Sequence, residues 1–342
     1  MALTLSRTRK ALSGPAGTIA FVAALALAAV VFVGPIAASR GSAFFIQILV
    51  YGVANGAIYA LIALGYTMVY GIIELINFAH GDVFTLGAFI SLPLLGVFGL
   101  KEGSSGLAVT FGLLAVFVIV MAVNGGINVA IERVAYRPLR NSPRLAPLIT
   151  AVGMSFFLEG VMYLWRGPNN LHYPDLLPGG KITVGGASIG LKDLMVAALA
   201  ILLVILLAIF INRTKLGKAM RATAQDRDAA QLMGIDINRT ISATFLIGAA
   251  LAGAGGIAFG LYFNNIRFDL GFSAGLVAFT AAVFGGIGNI QGAALGGLAI
   301  GLIRAFSDGY FQSTWTDVVI FAILILVLVF RPTGLLGARL QG

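Results

Sequence analysis

The sequence predicts an all-α integral membrane protein of about ten transmembrane helices, with eight to ten compatible with its apolar runs. Three observations carry this. Only 10% of the 342 residues are charged and 59% are hydrophobic, whereas a soluble domain carries roughly 25% charged residues. Gly17–Ser39 and Leu194–Asn212 contain no ionisable residue, and each is near the ~20 residues a helix needs to cross the hydrocarbon core. The alternation of a lipid-facing barrel strand is absent, and helices then satisfy the backbone within the bilayer.

The spans are expected near 17–39, 43–70, 83–100, 107–131, 145–165, 193–212, 241–263, 271–286, 290–306 and 317–331, in one transmembrane domain covering 1–342. The basic N-terminus, MALTLSRTRK, resembles a signal-peptide n-region. The apolar stretch after it exceeds an ordinary h-region, so 17–39 reads as a retained first helix, with a cleaved signal as the alternative. Gly41–Ile73 is uncharged and too long for one straight span, which suggests a broken helix. Leu270–Ile303, also uncharged, is interrupted by GGIGNIQGAALGG. That interruption reads either as a tight turn or as a re-entrant segment.

Charge sets the expected orientation. Basic residues cluster at Arg7, Arg9 and Lys10, at Arg133, Arg137, Arg140 and Arg144, and from Arg213 to Arg239, with Arg331 and Arg339 near the end. The positive-inside bias places these segments and both termini in the cytoplasm. The segment 166–193, rich in Gly and Pro, is then external, with a small hairpin around KITVGGASIG. The net charge of +9 is explained by these topology signals, so nucleic acid is rejected as a partner. The absence of cysteine and the presence of only two histidines argue against disulfides and thiolate or His-rich metal sites. The 45 glycines form small-xxx-small pairs in 248–260 and 285–301. These read as close helix packing or, alternatively, as backbone lining a substrate path.

Two segments carry polar information. In YGIIELINFAHGDVFTLGAF (70–89), Glu74, Asn77, His80 and Asp82 lie within nine residues. Taken as a helix, Glu74, Asn77 and His80 share one side, with Gly81 beside Asn77. Intramembrane ionisable groups need a partner or a role, so this stripe reads as a translocation-path lining or gate. It reads equally as a hydrogen-bonded turn with Asp82 as N-cap of the next span. Glu159 is expected either to pair with Arg166 or to line a path, and Arg304 to pair with Asp308. Asn264, Asn265, Arg267 and Asp269 form an external polar cluster. The second segment, within 213–240, is the largest basic loop. Ala219–Met233 reads as a short amphipathic helix, with Ala219, Met220, Ala222, Thr223, Ala230 and Met233 on its apolar side, ended by Gly234. It is suited to lying on headgroups or to docking on a cytoplasmic partner.

DAAQLMG (228–234) resembles the E-A-A-x-x-x-G signature of ABC importer permeases, with Asp in place of Glu. GYTMVYGIIELINFAHGDVFTLGAF (65–89), AYRPLRNSPRLAPLITAVGMSFFLEG (135–160) and AFTAAVFGGIGNIQGAALGGLAIGLI (278–303) resemble the permeases of branched-chain amino-acid ABC importers, nearest the H-type subunit. The resemblance implies the ABC importer permease fold with an inverted repeat, in a bacterial inner membrane. It implies half of a pore for leucine, isoleucine and valine, paired with a second related permease, two cytoplasmic ATPase subunits and a periplasmic substrate-binding protein. The coupling helix that contacts the ATPase falls on Ala224, Gln225, Asp226, Asp228, Ala229, Ala230, Met233 and Gly234. No Walker A motif is present, so the chain is expected to be neither an enzyme nor a cofactor binder. Urea, short amides or another amino acid are alternative cargoes. A stand-alone proton-coupled transporter using Glu74, His80 or Glu159 is the reading from another class.

Overall fold

The computed structural model describes residues 23, 34 and 40–337 except 75, 76, 105, 141, 144 and 332. The helix expected at 17–39 lies outside the described residues save for Ala23 and Gly34. The helices that follow are α1 (Ser42–Ile73), α2 (His80–Val97), α3 (Gly106–Ile131), α4 (Leu145–Arg166), α5 (Leu191–Arg213), α6 (Lys215–Gln225), α7 (Arg227–Leu232), α8 (Ile237–Phe263), α9 (Leu270–Gly285), α10 (Ile290–Tyr310) and α11 (Thr316–Phe330). Among the described residues eight helices are long and apolar enough to cross a membrane, and Leu270–Gly285 is a shorter apolar helix.

α1 is the central pillar. The expected break is absent, and Ser42–Ile73 is one helix of 32 residues, about 48 Å long at 1.5 Å per residue. It packs against α10, α8, α5 and α9, and its residues from Gly56 to Val69 are buried. Glycine makes the tightest of these contacts. A Cβ at Gly301 of α10 would lie 2.1 Å from the Gly56 Cα, and one at Gly297 would lie 2.4 Å from the Ala60 Cα. The repeats Gly52–Gly56 and Gly297–Gly301 thus form the close-approach faces of a small-xxx-small pair. α8 uses its glycines in the same way, since a Cβ at Gly256 would lie 2.2 Å from the Phe84 carbonyl oxygen of α2. The packing reading of the glycine-rich runs holds at these positions.

α9 and α10 are separate helices joined by a tight turn over Gly286–Asn289, where Gly286 and Gly288 have φ of 111° and 90°. Asn289 caps α10 by accepting a hydrogen bond from the Gly292 amide at 3.1 Å. Among the described residues four short strands gather at one end of the bundle: β1 (Leu171–His172), β2 (Lys181–Val184), β3 (Ala187–Gly190) and β4 (Asn265–Ile266). β1 pairs with β4. The expected hairpin is formed by β2 and β3, in antiparallel register with Val184 opposite Ala187. Its two turn residues, Gly185 and Gly186, both have positive φ, which suits the twist of a two-residue hairpin.

The basic segments converge on the opposite end. Arg140 donates to the Asn238 side chain at 2.7 Å and to Glu132. Arg227 donates to the carbonyl of Ile72, the penultimate residue of α1. α5, of 23 residues, connects the hairpin end to this basic end across about 35 Å.

Candidate functional site

The stretch 70–89 folds otherwise than as a helical stripe. α1 stops because Glu74 adopts the left-handed conformation, φ 56° and ψ 25°, and its amide still donates to the Tyr70 carbonyl. A non-glycine residue there costs roughly 1 kcal/mol. Glu74 is exposed, while Asn77, His80 and Asp82 are buried. The predicted set therefore divides, with Glu74 at the basic end and the other three inside the bundle.

His80 begins α2 in the interior. Its imidazole sits against Gly65 of α1, where a Cβ would lie 2.1 Å from Nε2, and its ring is 4.9 Å from the Tyr66 ring in an edge-on arrangement. Gly65 is eight residues from the end of α1, about 12 Å along the axis, so α2 starts well inside the bundle rather than at its surface. Gly81 lets α2 meet α9, since a Cβ there would lie 2.2 Å from the Gly271 carbonyl oxygen. Asp82 is not the expected N-cap. Ala79 holds that position without a side-chain cap, and Asp82 lies in the first turn of α2. Its carboxylate instead accepts a hydrogen bond from Ser155 of α4 through Oδ2, and Oδ1 has no hydrogen-bond partner among the described residues.

Asn77 is held by Tyr136, whose hydroxyl donates to the Asn77 Oδ1 at 2.7 Å. Tyr136 closes a π-helical turn, Glu132–Tyr136, that extends α3. Such turns are frequent at functional sites. Glu132, fully buried, accepts from Arg140 and from the Ser242 hydroxyl of α8. Burial draws the Arg140 guanidinium below its ordinary value, and the Glu132 carboxylate pulls the other way. Sequence reasoning missed Tyr136 and Glu132 because Asn77 and Ser242 lie 59 and 110 residues from them, and Arg140, though only eight residues from Glu132, reads as a topology charge.

The segment expected as one amphipathic helix is two helices. Asp226 is extended, at φ −157°, and its side chain accepts from the Ala229 amide at 2.9 Å, so it ends α6 and caps α7. Aspartate is a strong N-cap, and this is the local reason for the break. Gly234, with φ 85°, closes α7 as expected. Met220, Thr223 and Ala230 are buried, whereas Met233 departs from the expected apolar side and is 83% exposed, beside Leu232 at 89%. Ala224, Gln225, Asp226, Asp228, Ala229 and Gly234 are exposed as well. The Arg227 Nε and Nη2 donate to the Ile72 carbonyl at 3.1 and 2.6 Å. A polar pocket of about 310 Å³ lies where Glu74, Arg140, Asp226 and Arg227 come together.

At the hairpin end a wider cleft of about 740 Å³ opens between α4, α8 and α9. Phe156, Phe259, Phe263 and Phe272 supply apolar walls, and Glu159 and Asp269 supply carboxylates. Arg267 donates to Asp269 through two nitrogens, and this pairing raises its guanidinium above its ordinary value. The expected pairing of Glu159 with Arg166 is not made: the Arg166 guanidinium instead lies 5.0 Å from the Trp165 ring centroid. Arg304 and Asp308 do pair, at 3.9 Å.

Comparison with known proteins places this geometry in a family. Residues 48–328 match the family model described as branched-chain amino acid transport system / permease component. The chain is 46% identical over 300 residues to the high-affinity branched-chain amino acid transport system permease protein BraD of Pseudomonas aeruginosa, covering 86% of this chain and 96% of that protein. It is 44% identical, with the same coverage, to the permease protein LivH of Escherichia coli K12. A probable branched-chain amino acid transport permease, LivM of Methanocaldococcus jannaschii, is 28% identical over 37% of this chain and 41% of its own length. No solved structure matches. By the extent of the family match and the identity to these relatives, the chain belongs to the permease components of branched-chain amino acid transport systems.

Proposed function

We propose that the chain forms one half of the translocation path of an ATP-driven importer for branched-chain amino acids in a bacterial inner membrane. The names of its relatives support the cargo. The observation that carries the ATP-driven reading is the exposed pair Leu232 and Met233 at the end of α7, on a short helix anchored to α1 through Arg227 and Ile72. Apolar side chains presented so fully at a basic, polar end suit insertion into a groove of a partner protein.

In this reading α6 and α7 dock a cytoplasmic ATPase subunit, through Ala224, Gln225, Asp226, Asp228, Ala229, Ala230, Met233 and Gly234. A second, related permease completes the path and brings its own ATPase subunit. A periplasmic binding protein delivers the amino acid to the hairpin end. Movement of α7 is passed by Arg227 to the end of α1, and from Glu74 to the junction of Asn77, His80, Gly81 and Asp82, which serves as the inner gate. Both termini and the basic end face the cytoplasm.

Replacing Asp228–Met233 with a flexible Gly/Ser segment tests this. Uptake and association with the ATPase are lost while the chain still inserts. Normal ATP-driven transport by that variant would remove the coupling role of α7.

A further inference from the structure

We infer that Glu159 receives the α-ammonium group of the transported amino acid in the cleft between α4, α8 and α9. This rests on the reading of the chain as half of a translocation path and names the chemistry of one subsite in it.

The cleft has two kinds of wall. Four phenylalanines, Phe156, Phe259, Phe263 and Phe272, line one part together with Ile266 and Leu270. A branched aliphatic side chain is dehydrated favourably against such a surface. The other part is acidic. Glu159 has no ion-pair partner among the described residues and lines the same cleft as Asp269. Asp82 lies behind them, fully buried, with Oδ1 unpartnered among the described residues and Oδ2 bonded to Ser155. Ser155 and Glu159 are one turn apart on α4, so the carboxylate that Ser155 holds belongs to the same corner of the bundle as Glu159. Arg267 is the cation among the lining residues, and two of its nitrogens are engaged by Asp269.

The acids thus outnumber the cation, so the group seated against Glu159 is the positively charged end of a ligand rather than its carboxylate. An unpaired carboxylate in a cleft walled largely by apolar side chains needs a partner or a role. A primary ammonium supplies three donors and satisfies that need during passage. The aromatic faces around it add cation–π attraction. An α-amino acid with an apolar side chain presents both chemistries to the two walls at once. Glu159, rather than Asp269, is assigned the contact because Asp269 already holds Arg267.

The test uses the cysteine-free background of this chain. Ser273→Cys, in the wall of the cleft, is introduced into the complete transporter and exposed to a membrane-impermeant thiol reagent. Labelling is measured with leucine, and with 4-methyl-2-oxopentanoate, which keeps the carbon skeleton and carboxylate but lacks the ammonium. The expected result is protection by leucine and none by the oxo acid. Glu159→Gln should remove the protection and lower maximal uptake by about tenfold, as loss of a charge-assisted hydrogen bond does. Glu159→Asp should restore part of both, with ATPase association unchanged throughout. Equal protection by the oxo acid, or full protection and uptake in Glu159→Gln, would overturn the ammonium assignment and leave the path reading standing. Failure of the Ser273→Cys variant to be labelled either at rest or during turnover would show that the cleft is not open to water and would overturn the ammonium assignment, again leaving the path reading to its own test.

Discussion

Leu232 offers the sharpest separation of docking from folding. It is 89% exposed at the end of α7, so its side chain contributes little to the stability of this chain. Leu232→Ala keeps a strong helix former and should change the unfolding free energy by less than about 0.5 kcal/mol, the usual range for such surface changes. If the side chain is buried in the ATPase, the same change removes most of the ~1.5–3 kcal/mol that burying a leucine contributes. At about 1.4 kcal/mol per decade, the ATPase dissociation constant should then rise about tenfold to a hundredfold. The assay is ATPase binding to the purified permease pair, with a thermal midpoint measured on the same sample. Weaker binding at an unchanged midpoint supports docking. Unchanged binding would refute the reasoning, and a lowered midpoint would show that Leu232 serves this chain's own fold. Met233→Ala should behave alike, and the adjacent pair need not add.

Three other substitutions have outcomes set by the geometry. Gly301→Ala would bring a Cβ to 2.1 Å from the Gly56 Cα, with no flexible side chain to yield, so α1 and α10 must part at a cost of ~1–3 kcal/mol or more. Its midpoint in detergent should fall, while Gly160→Ala, whose Cβ meets nothing within 4 Å, should not lower it. Tyr136→Phe removes the donor to Asn77 and should cost about 1–3 kcal/mol, as a stranded buried acceptor does. In an Asn77→Leu background the same change should cost less, and equal costs would remove the pair. Arg227→Gln loses both bonds to the Ile72 carbonyl while leaving Leu232 and Met233 in place, so ATP hydrolysis should continue with less amino acid carried per ATP. An unchanged ratio would detach α1 from the coupling.

How far this structure can be read from sequence follows the range of the interactions. The spans from 43 onward are near their expected places because hydropathy and charge act locally along the chain. The hairpin at 181–190 is legible for the same reason, since Gly185 and Gly186 supply the turn by themselves. The continuity of α1 is not, because its length is set by burial against α8, α9 and α10, which relieves a long apolar helix of any need to break. The division at Asp226 has a local signal, an aspartate able to cap its own downstream turn, which the run of good helix formers masks. The polar cluster is legible as a junction but not in its pairings. Periodicity puts Glu74, Asn77 and His80 on one side, but the left-handed Glu74 turns the chain so that they part. Asp82 is bound to Ser155, 73 residues away, and Asn77 to Tyr136, 59 residues away. Pairings over that distance are decided by helix packing, which no local pattern encodes.

In the proposed function, this chain moves branched-chain amino acids with energy delivered through α6 and α7 by an ATPase. The most direct test is uptake of labelled leucine into proteoliposomes holding the complete assembly, with ATP on the side of the basic end and a protonophore present. ATP-driven import predicts uptake that requires ATP and a leucine-loaded binding protein and is indifferent to the protonophore. Uptake driven by a pH gradient without ATPase subunits would contradict it.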